Sequence, residues 1–459
     1  MTIAPGLDTD ISVTDTALYF LPVQCEVPLT FGSGSVASIT CARVSVTIAT
    51  KGGTVATGWG EVPLNGVWAW PTADSDADRE QVLRTVCIDI ARALRECRFC
   101  GHPFEVSRRF MRDVLPHVIS GGVGAVARQE IPGTVALLCM TPFDLALYDA
   151  FGRVHNLPAI ETLGRNLMTG DLSAWIEDDD REWASGVYLR DVLVPQPKTK
   201  LPVWHLVGAS DPLEDQEHPP PSWSLGEWIQ RDGIQALKVK LLGCDIETDA
   251  QRYARVFSIG SAFGVRTYSL DLNATPSEED YVVRLFDRLE TLTPDGFARI
   301  ALVEEPFPPD RFLDRVLVRE VARRKSLFMD ENAIGWRQVR LGHQAGWSGV
   351  ALKTCKTLTE SLCSLAWARR HDMPVVVQDL TNPMLAQLTH LWFASYVDRG
   401  HGVESNAMQF YPGASGPEAV VHPGAYRRRN GLIDISSLRG PGFGYRLEEI
   451  NRELPQRAA

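Results

Sequence analysis

The chain has 459 residues, of which 44% are hydrophobic and 22% are charged, and its formal net charge is −11. This composition is typical of a soluble globular protein with two or three domains, or one large barrel with an attachment, and it excludes a disordered or fibrous chain. The acidic balance argues against nucleic acid or an anionic membrane surface as a partner.

The sequence also bears on location. No run approaches the roughly 20 apolar residues that span a bilayer, and residues 1–15 lack the basic start and apolar core of a secretory signal. The nine cysteines are an odd number scattered along the chain, which favours reduced thiols over a disulfide framework. We therefore expect a cytoplasmic protein that has no membrane contact.

The first third of the chain predicts an α+β unit. Residues 17–64 predict strands, because apolar and polar side chains alternate there and a Gly-Gly pair marks a turn. Residues 79–167 predict helices, because their apolar residues recur at helical spacing. The acidic run at 177–182 predicts a solvated loop, with a lid or an oligomer contact as alternatives, and residues 209–226 predict a proline-rich loop.

From residue 202 onward, short apolar runs alternate with amphipathic runs of helix length. This alternation is typical of parallel β/α units, and eight such strands predict a (β/α)8-type (TIM) barrel. The eight predicted strands are LPVWHLVG, IQALKVK, VRTYSLDLN, RIALVEE, SLFMDE, GVALK, MPVVVQD and HGVES.

Polar or charged residues end seven of these runs, 23 to 33 residues apart. They are Lys240, Asp271, Glu304, Asp330, Lys353, Asp379 and Glu404. The carboxyl ends of barrel strands converge on one mouth, where active sites lie. Because a charge at a buried strand end is costly unless it is paired or metal-bound, the seven residues predict a functional site.

Three of these residues predict a metal site. Asp271, Glu304 and Asp330 come from consecutive strands, so their like charges need a cation between them. Ligation by carboxylate oxygens favours Mg²⁺, with Mn²⁺ as the alternative metal. The competing structural interpretation is a buried ion network between these carboxylates and the lysines.

Two lysines predict acid/base chemistry. Lys240 and Lys353 end the second and sixth strands, on opposite sides of the barrel. A nearby metal would depress the pKa of each, which suits a general base. Facing lysines can remove a proton from one face of a substrate and return it to the other. Alternatively, Lys353 forms a simple salt bridge, and Lys238 lies on the opposite face of its strand in a structural contact.

At this point the chain resembles a known family. It is similar to the mandelate racemase/muconate lactonizing enzyme-like members of the enolase superfamily, in the branch whose bases are lysines (K-x-K … K). The resemblance rests on these motifs in this order: GWGE (58–61), TPFDLALYDAFGR…LPAIETLG (141–164), ALKVKLLG (236–243), SLDLNA (269–274), LVEEP (302–306), MDEN (329–332) and VALKTCK (350–356).

The resemblance implies a division of the chain. Residues 1–168 form an α+β capping domain that carries substrate-specificity loops, followed by an insertion at 169–200. Residues 201–424 form the barrel, and residues 425–459 return to the capping domain. The specificity loops are expected near 27–36 and 59–70, where the tryptophans at 59, 68 and 70 either line the pocket or pack in the core.

The resemblance also implies residue roles. Asp271, Glu304 and Asp330 are the Mg²⁺ ligands, and Lys240 and Lys353 are the acid/base pair. Substrate binding falls to Lys238, Asn273, Asp379 and Glu404, although no specific role for Asp379 follows from the motifs. Glu331 is a supporting residue.

The implied reaction begins with removal of the proton α to a carboxylate, through a metal-stabilised enediolate. The outcomes are racemisation or epimerisation, cycloisomerisation, or syn-dehydration of a small carboxylate, so the protein would be an isomerase or lyase and a homo-oligomer. The alternatives are a Schiff-base lysine aldolase and a metal-binding barrel without activity. One departure is KTLTES (356–361), where many relatives have a Gly-Gly pair.

Overall fold

A computed structural model describes residues 6–72, 74–121, 130–176, 181–214, 223–397 and 401–459. Three sequence predictions fall partly outside these residues. They concern the helical stretch at 79–167, the acidic run at 177–182 and the proline-rich loop at 209–226, of which 122–129, 177–180 and 215–222 are not described.

The N-terminal unit is an antiparallel sheet covered by helices, as predicted. Its strands β1 (Ile11–Phe31), β2 (Gly34–Thr50), β3 (Val55–Pro63) and β4 (Cys100–Gly101) lie in the order β3-β2-β1-β4. Alternate residues of β2, Val44, Val46 and Ile48, are fully buried, which explains the alternating pattern. The helices are α1 (Gly66–Ala69), α2 (Asp76–Glu96), α3 (Pro103–Asp113), α4 (Leu115–Gly121) and α5 (Gly133–Val154).

Helix α5 is the central helix of this unit. By length and composition it is apolar enough to cross a membrane, but 89% of its apolar window is buried inside the protein, as in a core helix. Strand β3 lies directly on it, because Gly58 and Gly60 have no side chain there. A Cβ atom on Gly58 would lie 2.0 Å from the Ala150 nitrogen, and one on Gly60 would lie 2.1 Å from the Pro142 oxygen.

The second unit is the predicted barrel, and all eight predicted strands are present. The strands are β5 (Lys200–Val207), β6 (Ala236–Lys240), β7 (Thr267–Asp271), β8 (Ile300–Glu304), β9 (Leu327–Met329), β10 (Gly349–Leu352), β11 (Val375–Val377) and β12 (Val403–Glu404). They are parallel, and the pairing of β12 with β5 closes the barrel. This confirms the predicted fold class.

Helices cover the barrel and connect its strands. They are α6 (Leu225–Asp232), α7 (Ile246–Ala262), α8 (Tyr281–Leu292), α9 (Pro294–Ala298), α10 (Arg315–Ala322), α11 (Trp336–Ala345), α12 (Leu358–Arg370), α13 (Met384–Val397), α14 (Ala407–Phe410) and α15 (Gly416–Val421).

Strand register sets which side chains reach the mouth. Lys240 pairs with Asp271, and Asp271 pairs with Glu304, so the ends of β6, β7 and β8 are level. Lys238 and Lys240 lie two residues apart and therefore share a face of β6. The interpretation that placed Lys238 on the opposite face is wrong, because side-chain direction in a strand repeats every second residue.

The C-terminal segment contacts both units. Strand β13 (Leu432–Asp434) pairs antiparallel with the start of β5, in the barrel. Further on, the Phe443 N–H donates to Asp149 of α5, and the Ala458 N–H donates to the Leu18 carbonyl of β1. The domain bounds given above stay a prediction, and β13 shows that residues 425–459 do not contact the capping domain alone.

Candidate active site

Three carboxylates meet at the carboxyl end of the barrel. Asp271 and Glu304 are the last residues of β7 and β8, and Asp330 directly follows β9. Each side chain has no solvent-exposed surface. Carboxylates that are buried together need positive partners, since like charges repel one another and burial removes bulk solvation.

Two lysines of β6 supply part of that charge. The Lys238 Nζ lies 2.9 Å from oxygens of Asp271, Glu304 and Glu404. The Lys240 Nζ donates to Asp271 Oδ2 at 2.5 Å and to Asn273 Oδ1 at 3.0 Å. The predicted pair of lysines on this strand is therefore inside the mouth.

Two further lysines surround Asp330. The Lys353 Nζ donates to Asp330 Oδ2, and the Lys356 Nζ donates to Asp330 Oδ1 at 3.0 Å. Lys356 was missed in the sequence because it lies past the end of its strand, in the short 3-10 turn Thr354–Lys356. The sequence KTCK (353–356) could have pointed to it, because its second lysine lies only three residues after Lys353.

The charges shift one another's pKa. Burial opposes the charge on Lys238 and Lys353, but the carboxylates outweigh it and hold both pKa values above their ordinary value. Burial likewise opposes ionisation of Asp271 and Asp330, but the lysines hold the pKa of each carboxyl below its ordinary range. The predicted depression of the lysine pKa values therefore requires a bound cation to offset the charge of these carboxylates.

The donor set fits a small hard cation. Within the described part of the chain, no group of three or more His, Cys, Asp or Glu side chains has a metal-binding arrangement, and ammonium groups hold the carboxylates instead. However, the single Nζ of Lys238 contacts both Asp271 and Glu304 at 2.9 Å, so both reach one cation. Buried carboxylate oxygens are the ligands Mg²⁺ prefers, and Asp330 on the next strand supplies a third.

The N-terminal unit covers this mouth with aromatic rings. Phe31, at the end of β1, lies 5.5 Å from the Lys240 Nζ, measured to the ring centroid. Trp68 of α1 lies 5.0 Å from the Lys353 Nζ, and its indole N–H donates to Glu331 Oε1 at 2.8 Å. The two predicted specificity loops therefore face the two predicted acid/base lysines.

The other two tryptophans do not line the site. Trp59 stacks on Tyr19 with ring centroids 6.1 Å apart, and Trp70 is buried in the core of the N-terminal unit. Of the three candidates, only Trp68 lines the cavity at the mouth.

This cavity is small, at about 40 Å³. It is lined by Leu29, Phe31, Asn65, Trp68, Leu206, Lys238, Lys240, Lys353, Asp379, Leu380, Thr381 and Glu404. Such a volume holds a few water molecules. A larger cavity of about 630 Å³ beside α4 and α11 contains none of the predicted site residues, so size does not locate the site.

The supporting residues have distinct positions. Asn273 does not line the cavity, and it links Lys240 to Glu331 by accepting from one and donating to the other. Asp379 lines the cavity, and its Oδ2 accepts the Asn406 N–H at 2.9 Å. No lysine or arginine among the described residues forms an ion pair with Asp379.

A second residue missed in the sequence is Gln378, next to Asp379. Its side-chain Nε2 donates to Glu304 Oε2, and its Oε1 is buried without a partner in the described structure. Its contact with Glu304, a predicted metal ligand, depends on how the chain leaves the short strand β11, directly before Gln378.

Comparisons with known proteins agree with the fold described above. Residues 224–451 match the family model described as "Enolase C-terminal domain-like". No curated protein matches the chain by sequence. The barrel part of this chain is thus similar to the enolase C-terminal domain-like family, which supports the predicted superfamily resemblance, although the lysine branch within it is not confirmed.

Solved structures share the whole fold. A dipeptide epimerase from Enterococcus faecalis, complexed with Mg and L-Leu-L-Tyr, is 15% identical with a TM-score of 0.61, over 94% of this chain and 99% of that one. The L-Ala-D/L-Glu epimerase from Bacillus subtilis is 17% identical with a TM-score of 0.61, over 98% and 100%. A muconate lactonizing enzyme from Pseudomonas fluorescens, complexed with muconolactone, is 13% identical with a TM-score of 0.59, over 94% and 96%.

Proposed function

We propose that the protein is a Mg²⁺-dependent isomerase or lyase that removes the proton α to a carboxylate. The observation that carries this proposal is the placement of Lys240 and Lys353 across one cavity, with three buried carboxylates between their strands. Asp271, Glu304 and Asp330 would hold the metal. When bound, Mg²⁺ supplies a Lewis acid that stabilises negative charge developing on the substrate carboxylate.

The two lysines carry the proton transfer. One Nζ in its neutral form takes the α-proton, and the electron pair of the C–H bond stays on the substrate. The other Nζ, as an ammonium, returns a proton to the same carbon from the opposite face, which inverts it. Because β6 and β10 are separated by three strands on one side of the barrel, this arrangement favours racemisation or epimerisation over cycloisomerisation and dehydration.

Lys238 anchors the substrate carboxylate in this proposal. Its Nζ already contacts three carboxylates in the mouth, and it lines the cavity beside Lys240. Glu404 holds Lys238 from the side of β12. Oligomerisation and a cytoplasmic location stay predictions.

Asp379 narrows the substrate class. It lines the cavity, is only 5% exposed and forms no ion pair within the described residues. The surrounding walls, Leu29, Phe31, Leu206 and Leu380, are apolar. This combination favours a carboxylate that bears a hydrogen-bond-donating nitrogen and an apolar side group, as in an amino acid derivative, over a polyhydroxylated acid.

The test is deuterium incorporation in D₂O with Mg²⁺ and a library of amino acids, N-acyl amino acids, dipeptides and sugar acids. Exchange at the α-carbon that EDTA abolishes is expected, and Lys240→Met and Lys353→Met should each remove it. Lys200→Met is the matched control, because Lys200 is exposed at the opposite end of the barrel. Unchanged turnover in either mouth variant would contradict the assignment.

Other outcomes identify the alternatives. Exchange that survives EDTA, together with a borohydride-trapped adduct, would indicate a Schiff-base aldolase. Metal binding without exchange of any library member would indicate a barrel that binds metal but has no activity.

A further inference from the structure

Lys356 has no role in the proton transfer proposed above, yet it is buried among the reacting groups. It is 4% exposed and lies in the mouth beside Lys353. An ammonium group has three N–H donors, and here all three have acceptors. They are Asp330 Oδ1 at 3.0 Å, the Asp330 carbonyl, and the Ala333 carbonyl at 3.3 Å.

Lys353 is bound differently. Among the described residues, the Lys353 Nζ donates one hydrogen bond, to Asp330 Oδ2, and Lys353 lines the cavity. Lys356 does not line the cavity. The two lysines thus share one carboxylate, but one of them faces the substrate space and the other faces the loop that carries Asp330.

The backbone after Lys356 is held in an unusual conformation. Thr357 has φ +67° and ψ 145°, a region that glycine adopts readily and a β-branched residue does not. Its N–H donates to Thr141 Oγ1 at 3.0 Å, and its own hydroxyl accepts the Glu360 N–H at 3.1 Å. The structure thus keeps a strained turn directly beside a saturated lysine, which favours a functional constraint on its position.

We infer that Lys356 is a positioning residue. It holds the carboxylate and the backbone of Asp330 in place. The Lys353 Nζ can therefore give up its hydrogen bond to Asp330 and contact the substrate. This inference rests on the proposed function, since it assumes that Asp330 is a metal ligand. Partners that orient a metal ligand from behind contribute about 10–100-fold to metal affinity.

The test measures Mn²⁺ binding to the substrate-free full-length protein, by electron paramagnetic resonance or calorimetry. Lys356→Met should raise the Kd for Mn²⁺ by about 10–100-fold. Lys353→Met should leave the Kd within about threefold of the wild-type value, because the single bond of Lys353 is one that the metal would replace. Lys356→Arg keeps the charge and the donors, and should recover most of the lost affinity.

Denaturant unfolding of the metal-free variants separates positioning from support of the fold. A purely structural lysine would lower the denaturation midpoint and leave the Kd of the folded protein unchanged, which would overturn the inference. Equal loss of affinity in Lys356→Met and Lys353→Met would overturn it too. If Lys356→Met does not fold, Lys356→Gln, which retains two donors without the charge, decides by the same criteria.

The two proposals fail differently. If the wild-type protein binds no Mn²⁺ and exchanges no substrate proton, the proposed function is wrong. If the wild-type protein binds Mn²⁺ and Lys356→Met binds it equally well, only the role of Lys356 is wrong.

Discussion

Two regions of this molecule bury carboxylates completely, and they stabilise these carboxylates with different kinds of hydrogen-bond donor. In helix α5, Asp149 accepts the backbone N–H groups of Trp59 and Phe443, each at 3.0 Å. In the barrel mouth, Asp271 accepts from the side chains of Lys238 and Lys240. Backbone donors are fixed by the fold, whereas a lysine side chain can change partner, so only the second arrangement is suited to chemistry.

The electrostatics differ accordingly. Burial raises the pKa of Asp149 to about 6, because hydrogen bonds from neutral N–H groups only partly oppose it. Lysines hold the pKa of Asp271 below its ordinary range in spite of equal burial. Asp271, which two lysine side chains contact, thus lies in the candidate site, whereas Asp149, which accepts only backbone N–H groups among the described hydrogen bonds, lies at the junction of the two units.

The largest expected effect is on metal binding, and it tests the barrel mouth as a candidate metal site. Glu304→Gln keeps the shape of the side chain but removes one of three proposed ligands, so we expect the Kd for Mn²⁺ to rise by at least about 100-fold. The free energy of unfolding should fall by no more than about 3–5 kcal/mol, the cost of breaking a buried ion pair, because Lys238 keeps its contacts with Asp271 and Glu404. Calorimetry and denaturant unfolding measure the two quantities.

Glu404→Gln is the matched control. Glu404 contacts Lys238 at 2.9 Å but is not among the three proposed ligands, so its loss should weaken Mn²⁺ binding by less than about tenfold. Equal losses in the two variants would mean that the total charge of the mouth, and not the ligand set, governs binding.

The second prediction tests the role of Asp149 in α5. Asp149→Ala leaves the N–H groups of Trp59 and Phe443 buried without an acceptor, which should cost about 2–4 kcal/mol of unfolding free energy. The Kd for Mn²⁺ of the folded variant should stay at the wild-type value. A stable variant with impaired metal binding would show that Asp149 acts on the site and not on the junction.

The third prediction concerns pH. The folded pKa of Asp149, about 6, lies above its ordinary value of 3.8, so between these pH values the folded state binds more protons than the unfolded state. Its contribution to stability is then full below about pH 4 and is lost as the pH rises through 6. Asp149→Ala should therefore destabilise the protein by about 2 kcal/mol more at pH 4.5 than at pH 7.5. A difference that does not vary with pH would contradict this.

The smallest expected effect is at the turn where the two regions meet. Thr141 and Asp144 of α5 accept the N–H groups of Thr357 and Leu358, directly after the lysines of the mouth. Thr357→Gly relieves the strain of the positive φ, whereas Thr357→Ala keeps it, and both variants lose the hydroxyl that accepts the Glu360 N–H. We expect the glycine variant to be more stable than the alanine variant by about 1–2 kcal/mol in denaturant unfolding. The reverse order would show that the turn is not strained.

Much of the fold was predictable because the relevant signals are local. Each barrel strand is a short apolar run, and the regular spacing of the runs is enough to predict parallel β/α units. The strand ends could be located for the same reason, which is why Asp271 and Glu304 fall where the sequence places them. Alternation along the strand was misjudged for Lys238, although a period of two places it beside Lys240.

The remaining parts of the site depend on long-range geometry. Lys356 reaches Asp330 through a 3-10 turn whose shape is set by Thr141, 216 residues away from Thr357 in sequence. Phe31 and Trp68 approach the lysines only because the N-terminal unit packs over the barrel mouth. No local pattern in the sequence encodes either contact.

The long-range hydrogen bonds at the domain junction have a consequence for how this chain acquires its structure. Arg43, which is buried, donates to Glu418 across 375 residues of sequence, and Asp149 receives the Phe443 N–H across 294. Contacts of such separation form late, because loop closure must precede them. During synthesis, the N-terminal unit emerges from the ribosome first, with Glu61 beside Arg43 and Trp59 beside Asp149. Each of these two buried residues still lacks one of its final partners until almost the whole chain has followed.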